Sequence, residues 1–147
     1  MSLITDKVFF NALKSNAQLV QDVEGRIYST AIPTPDEELL NEPVPYVIIT
    51  FDGLQNEGFT KDNSFEGNND KVNIGIMVAA EDRESLGALM EDIRKTVIEY
   101  FEDSVGHAKE DYDLVPDEYS LTASAIQYDS LKPCCWQSLN YACDTNP

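Results

Sequence analysis

Apolar and polar residues alternate cleanly over residues 72–79. Val72, Ile74, Ile76 and Val78 fall on one side, and Asn73, Gly75, Met77 and Ala79 on the other. This is the period-2 pattern of a strand with one strongly apolar face. Asp82 follows at a position suited to capping a helix, where its carboxylate accepts from backbone N–H groups that lack an intrahelical partner. Leu86, Leu89, Met90, Ile93, Val97, Tyr100 and Phe101 then recur at three- and four-residue steps, which predicts an amphipathic helix over 84–101. An apolar strand face followed by an apolar helix stripe requires the two to bury one another.

The same reading extends outward in both directions. Thr5 caps a first helix whose apolar side holds Val8, Phe9, Ala12 and Leu13. The stripe slips near Asn16 and resumes at Leu19, Val20 and Val23, and Gly25 ends the segment by allowing a left-handed turn. Residues 26–30 read as a short strand. Pro33, Pro35, Pro43 and Pro45 enclose an acidic stretch and predict a loop, because proline removes donors and disfavours helix in the residue before it. Residues 46–51 form an apolar, β-branched strand. Residues 55–70, rich in Asn, Gly and Asp, predict a long loop or a loosely paired hairpin tip. Residues 99–118 carry eight acids against the single Lys109, a solvated connection. Alternation returns over 119–128, Lys132-Pro133 turns the chain, and 135–143 closes with a last strand. The expected fold is α+β, with two helices packed on a largely antiparallel sheet in the order α-β-β-β-α-β-β. Nothing divides residues 1–147 into more than a single domain.

Charge narrows the classes of function. Ten Lys and Arg against 27 Asp and Glu give a formal charge of −17, a balance that disfavours specific nucleic-acid binding and attachment to anionic membranes. No apolar run reaches the roughly 20 residues of a membrane span, and the first residues lack the basic-then-apolar order of a secretory signal. Cys134, Cys135 and Cys143 are odd in number and lack Cys-x-x-Cys spacing, so they read as reduced thiols on a strand. The single His107 has no second histidine for a zinc site and no positioned partner for base catalysis. Asp62, Ser64, Glu66 and Gly67 resemble the opening of a calcium loop, but its twelfth position is Asn73, where a bidentate Glu is needed. Neither a nucleophile elbow nor a phosphate loop is present. The expectation is a protein without catalytic residues, metal or cofactor.

A helical opening, VFFNALKSNAQLVQDV, runs into Gly25-Arg26-Ile27-Tyr28. After the proline-rich loop come Pro45-Tyr46-Val47-Ile48, then Val72-Asn73-Ile74-Gly75-Ile76 and the helix ESLGALMEDIRKTVIEYF. This succession resembles the tail-completion proteins of tailed phages and prophages, the tail terminator and head–tail joining group, over residues 5–101. The resemblance implies a non-enzymatic virion subunit, present in the host cytoplasm during assembly. Such a subunit forms a ring, usually six-fold, that caps the tail tube and meets the head-completion or connector protein. It implies that Gly25, Arg26 and Tyr28 orient the first strand and its contacts. Phe59 and Phe65, separated by polar residues, are expected to anchor onto a neighbouring subunit, giving Arg26, Tyr28, Phe59 and Phe65 as interface residues. Residues 27–31 and 136–143, free of charge and proline, are expected sheet edges that assemble by strand addition. Acids at 36–38 or 110–118 would repel DNA from a ring's bore. The alternative readings are an acidic adaptor or immunity-type protein that answers a basic partner, and a small enzyme built from scattered acids.

Overall fold

The computed structural model describes residues 5–29, 43–56, 70–101, 114–129 and 133–145. Three helices, α1 (Thr5–Ser15), α2 (Ala17–Asp22) and α3 (Arg83–Phe101), lie against one mixed sheet. Its strands are β1 (Ile27–Ser29), β2 (Tyr46–Asn56), β3 (Asp70–Ala80), β4 (Leu114–Ala123), β5 (Gln127–Asp129) and β6 (Cys134–Thr145). The spatial order is β1-β2-β3-β6-β4, with β5 also paired to β6. Only the β1–β2 pairing is parallel; all the others are antiparallel. The α+β class and the helix-on-sheet packing are therefore as the alternation predicted.

One continuous core fills the space between the layers. Val8, Phe9, Leu13 and Leu19 of the first two helices meet Leu86, Ile93 and Val97 of α3, all fully buried, over Ile49, Ile74, Ile76 and Val78. Phe9 and Tyr141 stack with ring centroids 5.2 Å apart and planes tilted by 47°, an arrangement aromatic pairs favour over a face-to-face sandwich. On the opposite face, Tyr46, Ile48 and Ala79 form a smaller cluster with Tyr28, Val44, Met77 and Trp136 packed against it.

Five details depart from the sequence reading. The slip at Asn16 is a helix break: its side-chain oxygen accepts from Leu19 N–H at 3.1 Å and starts a separate α2, so three helices replace two. β2 continues past Phe51 to Asn56, paired with β3 as far as Asp70. Its alternation is interrupted by a bulge at Asp52, with Gly53 at φ +140°, and the extra residue hides the strand from a period-2 reading. Residues 114–118 and 99–101 belong to β4 and α3 rather than to a connection. The 119–128 strand is broken, with residues 124–126 separating β4 from β5. Finally, residues 136–143 are not an edge. They lie inside the sheet, with β3 on one side and β4 and β5 on the other.

Candidate functional site

The turn that delivers Arg26 and Tyr28 is built from the end of α2. Gly25 N–H donates to Val20 O at 2.8 Å and Glu24 N–H to Gln21 O at 3.1 Å, the paired bonds of a Schellman ending. Glu24 and Gly25 both take left-handed backbone, φ +52° and +74°, which reverses the chain into β1. Arg26 then donates from Nε to Pro45 O at 3.0 Å and from Nη1 to Glu24 at 2.6 Å. Its own carbonyl accepts from Val47 N–H at 2.9 Å. The guanidinium thus ties the α2 ending to the start of β2 within one subunit. Tyr28 sits opposite Ile48 in the parallel ladder and packs on the face away from the helices. Arg26 and Tyr28 are brought together at one corner of the sheet. Phe59, Phe65, His107, the Asp62–Gly67 stretch and the acids at 36–38 and 110–113 lie outside the described residues.

The chain ends flanking the acidic stretches can still be placed. Pro43 flanks one at the end of the sheet that holds Tyr46 and Ala79, while Ser29, its other flank, stands opposite Ile49 part-way along β2. Leu114 opens β4 opposite Thr145, at the other end, where Asn56 and Asp70 also pair.

Clefts indent the helix layer, and two of them lie where elements meet. One, of about 280 Å³, is lined by Asp22, Pro45, Ala80, Glu81, Ser85 and Leu89. The other, of about 410 Å³, lies where Ser15 and Asn16 meet Asp92, Lys95, Thr96 and Glu99. Among the described residues that line them there is no histidine or cysteine, and the chemistry on offer is that of hydroxyls and carboxylates with the Asn16 amide and the Lys95 ammonium. Asp82 caps α3, accepting from Ser85 N–H at 2.7 Å. That backbone bond, helped by the Ser85 hydroxyl, holds its carboxyl below the ordinary aspartate value. Cys135 is buried on β6, and loss of solvation, reinforced by the Asp82 charge, pushes its thiol up. Cys135 and Cys143 lie eight residues apart on one strand, roughly 27 Å at strand rise, too far to bridge. Among the described residues, no group of three His, Cys, Asp or Glu is arranged to hold a metal, and no helix is long and apolar enough to cross a membrane.

The sequence reading missed the sheet's true outer strand. Residues 119–128, YSLTASAIQY, contain no charged residue in a chain where one residue in four is charged. They form the second half of β4 and run on into β5, beyond which no described strand pairs. Tyr128 is 69% exposed there. The signal was present in the sequence as a charge gap rather than as a periodicity.

No protein-family model matches the chain, and no curated protein matches it. Among solved structures it is similar to a chain of the virion of a native gene transfer agent particle. The TM-score is 0.61 at 12% identity, covering 97% of this chain and 94% of that one. At this identity the likeness is one of fold.

Proposed function

We propose that this protein is a structural subunit of a phage-like virion, a tail-completion protein that caps the tail tube and joins it to the head connector as a ring. The observation that carries the reading is the shared fold with a virion chain along nearly the whole length of both. The order of Gly25-Arg26-Ile27-Tyr28, Pro45-Tyr46-Val47 and the β3–α3 unit supports it from the sequence side. The corner built by Arg26 suits a structural role: its guanidinium bonds to Glu24 and Pro45 O, which ties the α2 ending and β1 to the start of β2. In this reading the chain has no catalytic role. Its formal charge of −17 keeps it from adhering to DNA that passes through the tail. Its partners are further copies of itself, the tail-tube protein and the head-completion protein.

The experiment is to delete the gene from the replicon that encodes it and image the particles released. The expected result is full heads and separate tails, with tubes of irregular length, restored by supplying the protein in trans. Mass spectrometry of intact particles should detect the chain. Normal tailed particles from the deletion strain, or particles that lack the chain, would overturn the reading.

A further inference from the structure

Four observations converge on the two flanks of the sheet. First, residues 119–128 of the β4 flank are uncharged, as described above, and at the opposite flank residues 44–56 carry only Asp52. Second, β1 pairs with β2 only as far as Ile49, so among the described residues no strand lies on the side of β2 away from β3 from Thr50 to Asn56. Third, these two stretches lie at the same height. Leu121 pairs with Tyr141, Tyr141 with Ile74 and Ile74 with Phe51. One row below, Thr122 leads through Asn140 and Gly75 to Thr50. Fourth, the core ends at both flanks in half-buried apolar side chains, Leu121 and Ile126 on one side and Phe51 and Leu54 on the other.

From these we infer that the β4 edge of one copy pairs with the Thr50–Asn56 stretch of β2 in a second copy, continuing the sheet from subunit to subunit. Strand direction suits this: β4 runs antiparallel to β6, β6 to β3 and β3 to β2, so the new junction is antiparallel. Joining finishes the burial of Leu121 against Phe51 and Leu54 of the next copy, a gain of apolar area that neither flank achieves alone. Copies that each carry −17 repel, and the contact falls where Asp52 is the one charged residue of the two paired stretches, the charge-poor composition of interface centres. Such a contact is head-to-tail and closes into a ring or extends as a filament according to its rotation. The inference rests on the reading of the protein as a ring-forming subunit and names the surface by which the copies meet. β4 also shows how pairing is confined: Pro116, Asp117 and Glu118 precede the uncharged run and a register shift falls between Leu114 and Tyr119, features that block strand addition.

The test uses one blocked variant per flank. Ser124 N–H donates inward to Ser138 O at 2.9 Å, so by alternation the Ala123 N–H points away from β6. Ala123→Pro removes that outward donor and leaves the β6 ladder intact. At the other flank, Leu54→Lys lets the lysine stem cover the core while its ammonium reaches water in a single copy. A neighbouring strand would bury that charge. Analytical ultracentrifugation of the full chain should show concentration-dependent association that strengthens as salt screens the acids. Each variant alone should associate at least about tenfold more weakly, with its thermal midpoint showing a folded subunit. An equimolar mixture should give a one-to-one dimer and nothing larger, because each variant keeps the flank the other lacks. Three outcomes would overturn the inference: a parent chain that never associates, variants that associate like the parent, or variants that stay monomeric when mixed. None of these bears on whether the chain is a virion component, which particle composition and the deletion phenotype decide.

Discussion

Replacing Asn16 with alanine removes three interactions from one side chain. The amide oxygen caps α2 through Leu19 N–H at 3.1 Å, while the amide nitrogen donates to Thr96 Oγ1 at 2.8 Å and to Asp92 Oδ1 at 3.2 Å. Loss of an N-cap costs about 1 kcal/mol. The Thr96 bond contributes about 1 kcal/mol and the longer, half-exposed Asp92 bond about half that. Thr96 keeps a partner, since its hydroxyl still donates to Asp92 O at 2.7 Å, so the loss of the Leu19 N–H acceptor is the one counted in the cap. The sum is about 2–3 kcal/mol, or a fall of about 4–12 °C in the thermal midpoint of a domain this size. Urea unfolding followed by far-UV circular dichroism and by the fluorescence of Trp136, the single tryptophan, measures it at constant m-value. Asn16→Ser keeps the cap oxygen but shortens the reach, and should lose about half as much. With Thr96→Val, Asn16→Ala should be sub-additive by about 1 kcal/mol, because the two share a bond. A loss under about 0.5 kcal/mol for Asn16→Ala, the range of an ordinary surface change, would mean that packing alone sets the break between α1 and α2.

Ile93 is fully buried between α3 and the sheet, so Ile93→Asp places an unpartnered carboxylate in the core and should unfold the domain; a soluble variant with a cooperative melt would refute the packing of α3. The Asp82 carboxyl is held below its ordinary value, so it favours the fold above the unfolded carboxylate range. That contribution fades as pH falls from about 4 through the lower folded value. Parent and Asp82→Asn stabilities should therefore converge in acid and separate toward neutral pH, and curves that run parallel would refute the cap. Thiol labelling in native buffer should modify half-buried Cys134 well before Cys135 and Cys143, which are buried, and denaturant should equalise all three; equal native rates would contradict the burial of β6.

Legibility followed the strength of the local pattern. α3 was readable because it is buried along one stripe, and β3 because its β-branched residues on the helix side, Val72, Ile74, Ile76 and Val78, alternate with smaller or more polar ones, although most of the strand is buried on both faces. β2 was half readable: Val47 and Ile49 announce it, but the bulge at Asp52 breaks the period while pairing continues on to Asn56. The first residues of β4 were hidden by Pro116, Asp117 and Glu118, which oppose a central strand and are tolerated at an edge. That β6 lies inside the sheet is a long-range fact, decided by β3 and β4 pairing to its two sides, and no window of sequence contains it. Of the candidate site residues, Arg26 and Tyr28 were found through a short motif, and the structure places them at one corner. The uncharged β4 edge and Tyr128 were passed over because the stretch was read for alternation alone.

The interior position of β6 also sets an order of events at the ribosome. Every strand that pairs with it, β3, β4 and β5, is synthesised earlier, yet none of the three pairs with another of them. Until residues 134–145 leave the exit tunnel, β3 is matched on one side only and β4 and β5 have no place to dock. The Phe9 ring of α1 likewise gains its aromatic partner only when Tyr141 arrives. The fold thus cannot mature gradually behind the ribosome; it completes late and in one step, through contacts distant in sequence, which is slow and leaves unpaired edges exposed meanwhile.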